Sequence, residues 1–309
     1  MCPQVNWEST LREWSKPVDE NQEILAKATA EQVRNALSNY EFVPNSMMKV
    51  RAQGSKLNNT DTSDESDVDI RVEFHPDSSQ SDEIPQIFLS RRASVAKSLI
   101  TEDFGLTPYR MPLTQHTFKD HIFSALEEQF GAVHVHRHDK CINVDESRLI
   151  MKADIVPCFP ARTYKAYGEF DAGVSIRCDS GEEILNYPEQ HYTNGVTKNT
   201  TTATRFKKMV RCFKRMENHL VSTRIEIDPL PSFFMESLIY NCPNYLFSPE
   251  SYVDTFRNLM VHLVALLDDT ARSGGMMEVN EVKTLFKDGQ TWTTEEALNL
   301  AALAWYELK

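Results

Sequence analysis

The sequence predicts an α+β protein in two parts: a mixed core over residues 1–185, opened by a long helix, and a helical domain over residues 186–309. Three observations carry this. Asp67 to Phe74 (DVDIRVEF) alternates charged and apolar residues with the period of a half-buried strand. Further short strand-like segments follow as far as about residue 180. After about residue 195 the apolar pattern is helical throughout. The 309 residues carry 33 Lys and Arg against 45 Asp and Glu, a net charge of −12, and 41% are hydrophobic. Such a chain buries a sizeable core and is neither disordered nor fibrous. It lacks the cationic surplus of a protein whose main partner is nucleic acid.

Residues 10–40 read as one helix, with Leu25, Ala28, Val33 and Leu37 at helical spacing among Glu, Gln and Lys. Met48 to Val50 is a short apolar segment, and Gly54 to Ser66 is a polar loop. Asp77 to Glu83 reads as a loop before a helix over 84–100. A helix over Thr117–Phe130 precedes strands at 131–135, 141–144, 149–156 and 173–176. Helices over 204–220, 231–240, 252–267 and 293–308 complete the pattern. The six cysteines form no C-x-x-C pair, and no run reaches the roughly 18 apolar residues of a membrane span. Met1 to Trp14 lacks the apolar core of a secretory signal. The expectation is a cytoplasmic protein with reduced thiols and no membrane partner.

The sharpest local feature is Gly54-Ser55 followed, after eleven residues, by Asp67-Val68-Asp69. On a strand, residues i and i+2 share a face, so the two carboxylates project side by side. They repel unless a cation compensates them. Mg²⁺ suits a few carboxylates together with substrate phosphates. The Gly-Ser element suits close approach of backbone N–H groups to a phosphate. Asp154 is a third acid, set in an apolar run from Leu149 to Pro157, where a lone charge is costly. Three carboxylates are what a two-metal phosphoryl-transfer site needs. A solvated acidic strand face and a locally paired Asp154 are the bland alternatives.

A second feature is basic. Residues 198–224 hold eight Lys and Arg against Glu217 alone, a net +7 that leaves −19 elsewhere. On a helix Lys207, Arg211 and Lys214 fall on one stripe, opposite Phe206, Val210 and Phe213. Like charges so concentrated repel, so the stripe reads as a triphosphate-binding helix or, more blandly, as a solvated cationic face. His134, His136 and His138 alternate along a strand. Simple surface exposure accounts for them better than a metal site does.

Together, Gly54-Ser55, Asp67-Val68-Asp69 and Asp154 resemble the signature of the polymerase-β-like nucleotidyltransferases. The phrases KADIVPCFP (152–160), FKKMVRCFKRM (206–216) and LPSFFMESLIY (230–240) look most like bacterial CD-NTases, relatives of cyclic GMP-AMP synthase and oligoadenylate synthase. The resemblance implies a mixed sheet flanked by helices and packed on a C-terminal helical bundle. It implies that Asp67, Asp69 and Asp154 hold two Mg²⁺ ions, for which Mn²⁺ substitutes, and that Gly54 and Ser55 bind donor phosphates. Lys214 stands at the family's triphosphate-binding lysine, with Arg211 and Lys207 as weaker contacts. Ser232-Phe233 stands at a Ser-aromatic pair whose ring stacks on the base. The bland reading of Phe233 is a core aromatic.

The function implied is template-independent joining of NTPs, ATP among them, into a cyclic di- or trinucleotide for antiphage defence. The product acts on a downstream effector protein; oligomeric state is left open by the sequence, with a monomer as the default expectation. There is no zinc-ligand cluster and no basic surplus, so no DNA sensing is expected. The competing readings are an enzyme that modifies tRNA or a protein, a linear oligonucleotide synthase, and a catalytically dead binding module. The −19 argues against RNA, and the three carboxylates argue against the dead module.

Overall fold

The computed structural model describes residues 5–18, 21–40, 48–62, 67–74, 115–147, 150–165, 169–223, 227–248, 250–287 and 290–309. The chain divides into two compact units. One comprises residues 21–57 and 65–188, the other residues 1–20, 58–64 and 189–309. A division falls at 188/189, where the sequence pattern puts it at 185/186. The first twenty residues and the 58–64 segment, however, cluster with the helical unit. The expected loop at 77–83 and helix at 84–100 lie outside the described residues.

The single N-terminal helix expected over 10–40 is two helices, α1 (Trp7–Trp14) and α2 (Gln22–Asn39). Asn6 caps α1 by accepting from Ser9 N–H at 3.2 Å. Pro17 accounts for the break: its ring and missing N–H stop a helix, and it disfavours helical geometry at Lys16. The sheet unit continues with β1 (Met48–Gln53), α3 (Gly54–Asn58), β2 (Val68–Phe74) and α4 (Gln115–Phe130). Then come β3 (Val135–Arg137), β4 (Ile142–Val144), β5 (Ala153–Tyr164), β6 (Phe170–Arg177) and β7 (Glu183–Asn186). Gly131 to His134, expected as strand, is mostly a 3₁₀ turn.

Strand order is β1-β2-β5-β4-β3, with β6 on β5 and β7 on β6. Among the described strands only β2 and β5 run parallel. Val68, Ile70, Val72 and Phe74 turn to one face of β2 and are at most 1% exposed. They share a core with Ala26, Val33 and Leu37 of α2 and Phe118, Ile122 and Leu126 of α4. Each large side chain so buried contributes about 1.5–3 kcal/mol. The opposite face of β2 therefore carries Asp69, Arg71 and Glu73.

The helical unit is built from α5 (Pro188–Thr201), α6 (Arg205–Ser222), α7 (Ser232–Tyr240), α8 (Tyr252–Leu267), α9 (Thr270–Ser273) and α10 (Thr294–Glu307), with α1. Phe206, Met209, Val210, Phe213, Met216 and Leu220 of α6 are fully buried at helical spacing. Thr293 and Glu296 form a capping box at the start of α10. Neither α5 nor β7 is expected from the sequence pattern. The first is a polar, Thr-rich helix without a clear apolar stripe. The second is a four-residue edge strand.

Candidate active site

The acids meet through sheet register. Gln53 of β1 pairs with Asp69 of β2, Asp69 with Asp154 of β5, Asp154 with Asn143 of β4, and Asn143 with His136 of β3. Paired residues share a sheet face, so these five side chains form one row. Asp67 stands two residues before Asp69, with Lys152 Nζ 3.1 Å from its Oδ2. Asp154 Oδ1 accepts from Asn143 Nδ2 at 3.0 Å. Gly54 abuts the row. Its φ is +75°, and a Cβ added there would lie 1.9 Å from Asp69 Oδ2. Half-buried Ser55 follows in the five-residue α3.

Burial, then the charges of Asp154 and Asp67, push the Asp69 carboxyl up to about 6. Burial and the neighbouring Asp154 carboxylate likewise push the Cys141 thiol up to about 12, so Cys141 sits against Asp154 as a neutral donor. Gln53 Oε1 is buried with no hydrogen-bond partner among the described residues. Crowded carboxylates and an unpartnered amide oxygen are the hard donor set a divalent cation takes. Among the described residues no three Asp, Glu, His or Cys side chains close a cage unaided.

The basic stripe is more deeply engaged than its sequence suggests. Arg211 is 4% exposed, and its guanidinium donates to Ser15 O at 2.8 and 2.5 Å and to Asn59 O. Arg215, one turn on, donates to Trp14 O and to Lys16 O at 2.8 Å. The two arginines thus satisfy carbonyls left open at the end of α1. Lys214 is 3% exposed and donates to Thr60 O at 2.9 Å. Arg211 and Lys214 therefore hold the 59–60 backbone. Lys207 is half-buried. Ser232 begins α7 and is exposed. Phe233 is half-buried, 5.7 Å from the His191 ring at 32°. Phe234 takes the core position, stacked on Trp292 at 5.0 Å.

Glu236, two residues on, is 3% exposed in an otherwise apolar run. Thr60 Oγ1 donates to its Oε2 at 3.2 Å, and His191 Nε2 lies 3.4 Å from its Oε1. Burial opposes ionisation, but His191, Lys214 and Thr60 together hold the carboxyl below its ordinary value. Glu236→Gln is expected to destabilise the protein by about 3 kcal/mol, read as a lower urea midpoint with an unchanged slope. The sign follows from the lowered pKa: this stability is full above the ordinary carboxyl value of 4.5 and is lost as pH falls through the folded pKa.

Gln53 and Asn143 in the carboxylate row, and Glu236 within the helical unit, are polar residues that the sequence pattern did not single out. Strand alternation places Asn143 opposite its apolar neighbours Ile142 and Val144, which would have found it. A lone acid within FFMESLIY is the matching signal for Glu236. The histidines prove to be surface groups: His136 Nε2 lies 3.2 Å and His134 Nδ1 3.6 Å from the half-exposed Asp145. No described helix is long and apolar enough to cross a membrane.

A sheet presenting paired carboxylates beside a Gly-Ser turn, with a helical C-terminal unit, defines a nucleotidyltransferase. The C-terminal helical domain of cGAS/DncV-like nucleotidyltransferases matches residues 193–309. The cyclic dipyrimidine nucleotide synthase CdnE of Legionella pneumophila is 32% identical over 97% of both chains. The cyclic dipurine nucleotide synthase of Elizabethkingia meningoseptica is 30% identical over 96% of this chain and 97% of that one. The solved Rhodothermus marinus CdnE c-UMP-AMP synthase, with Apcpp and Upnpp, superposes with a TM-score of 0.80. It is 27% identical and covers 98% of this chain and 97% of its own. The chain belongs to the CD-NTase family.

Proposed function

We propose that the protein joins NTPs, ATP among them, without a template and closes the product into a cyclic di- or trinucleotide. This second messenger activates a downstream effector protein in antiphage defence. The observation that carries the reading is the Asp69–Asp154 pair on adjacent strands with Gly54 pressed against Asp69. Asp67, Asp69 and Asp154 are the residues that would hold two Mg²⁺ ions, which Mn²⁺ replaces. Bound there, such ions neutralise the triphosphate and lower the pKa of the attacking hydroxyl. Gly54 and Ser55 hold donor phosphates, and half-buried Lys207 contacts the triphosphate tail. Arg211 and Lys214 act by fixing the backbone of residues 59–60, and Lys214 keeps N–H donors for phosphate. Phe233 stacks on a base beside Ser232. The enzyme works as a monomer in the cytoplasm.

Its relatives are named for dipyrimidine, dipurine and UMP-AMP products, so base choice is a property of each chain. Purified protein with the four NTPs and Mg²⁺ or Mn²⁺ is expected to yield a phosphatase-resistant product whose mass by spectrometry is that of a cyclic nucleotide. A product that phosphatase shortens is linear. Label fixed on tRNA or protein is macromolecular transfer. No NTP-derived product, with or without infected-cell lysate, overturns the proposal.

A further inference from the structure

We infer that Asn143 is a positioning residue that sets how Asp154 presents itself to a divalent cation. The inference rests on reading Asp154 as a metal ligand. Asn143 is 8% exposed at the centre of β4, between Ile142 and Val144, which are 0% and 1% exposed on the core face. An amide buried at such a place is costly unless bonded. Its partner is Asp154 Oδ1, 3.0 Å from Asn143 Nδ2. Register places Asp69 on one side of Asp154 and Asn143 on the other. With Oδ1 held by Asn143, Oδ2 is the oxygen that would serve a cation shared with Asp69. The donor is neutral. A lysine or arginine here would neutralise Asp154 and compete with the cation, whereas an amide orients the carboxylate and leaves its charge intact.

Outer partners of ligating carboxylates typically change metal affinity by about 10–100-fold when removed. The full chain is titrated with Mn²⁺ in the presence of a non-hydrolysable NTP analogue, with free Mn²⁺ read by electron paramagnetic resonance. Thermal midpoints are recorded alongside. Asn143→Leu removes the donor at similar volume, Asn143→Gln retains it on a longer arm, and Asp154→Asn is the reference. The expected result is an Mn²⁺ Kd weakened about tenfold or more in Asn143→Leu, with Asn143→Gln close to wild type and both midpoints near wild type. Unchanged Mn²⁺ affinity in Asn143→Leu, with Asp154→Asn weakened, overturns the inference and leaves the carboxylate reading standing. Affinity and midpoint falling together in both Asn143 variants overturns it in favour of a structural role. Wild-type affinity in Asp154→Asn removes the carboxylate reading and the inference with it.

Discussion

Asp69→Asn is expected to reduce nucleotidyl transfer by about 10³-fold or more while raising the thermal midpoint of the metal-free protein. The two effects have one cause. Asp69 is buried beside Asp154 and Asp67, and its carboxyl is pushed up to about 6 because the charged form is disfavoured there. The fold holds the anion at that position against its own stability, as functional sites commonly do. Asparagine keeps the shape and removes the charge, which relieves about 1–2 kcal/mol of repulsion at neutral pH. It also removes the oxygen a cation needs. Product formation from NTPs and a thermal melt in chelator are the two measurements. Turnover within tenfold of wild type would mean that the metal site is misassigned. A lowered midpoint would mean that Asp69 is held by favourable contacts and not by need. Asp67→Ala combined with Asp69→Ala should match it in activity with the fold intact.

The carboxylate row is legible because strand periodicity is strict. Once DVDIRVEF is a strand, Asp67 and Asp69 share a face, and an acid set in the apolar run at Asp154 calls for a partner or a cation. Register is what the sequence leaves open. It takes the parallel β2–β5 pairing to set Asp69 opposite Asp154, and nothing local in either segment encodes that partner. The basic helix is legible as a pattern and obscure as chemistry. Its apolar stripe is the buried one, as spacing predicts. Spacing also suggests cations waiting for an anion, yet Arg211, Lys214 and Arg215 already donate to carbonyls of residues 14–16 and 59–60. Backbone carbonyls brought near by tertiary folding leave no trace in sequence spacing. Pro17 is the local signal that matters here: it splits the first helix, and the freed end of α1 is the acceptor that Arg211 and Arg215 satisfy.

The same contrast sharpens the charge balance. The net +7 over residues 198–224 is in part already engaged by the protein's own oxygens. Lys198 donates to Cys242 O and Asn244 Oδ1, and Arg205 to Glu250 O. Much of the positive charge is thus engaged within the helical unit by carbonyl oxygens. The acids of the sheet are partnered differently. Asp69 has the Asp154 carboxylate in register beside it and Asp67 two residues back, and a cation close to Asp67 among the described residues is the ammonium of Lys152. On the proposed reading, an external cation is called for at these carboxylates, beside which the described residues place the ammonium of Lys152.

Gly54→Ala is expected to lower kcat about 10²-fold and to destabilise the protein by about 2 kcal/mol, although it adds one methyl group. Two independent penalties meet at this residue. A φ of +75° is left-handed, which glycine adopts freely and alanine does not. The new Cβ would stand 1.9 Å from Asp69 Oδ2 and 2.8 Å from its Cγ, closer than atoms can remain, so the carboxylate must move by about 1 Å or the turn must open. A displacement of that size at a reacting centre is worth about 10² in rate. Ser55→Ala, which removes only a hydroxyl from the same turn, is expected to do much less to stability. The two penalties separate in an Asp69→Ala background. There the Oδ2 and Cγ contacts are gone, and the backbone strain remains with a tight 3.1 Å approach to Cβ, so Gly54→Ala costs less than it does in wild type. Urea unfolding of the four proteins gives the coupling. A coupling of zero would mean that Gly54 serves only the turn, and the close approach of the Gly-Ser element to Asp69 would lose its part in the chemistry.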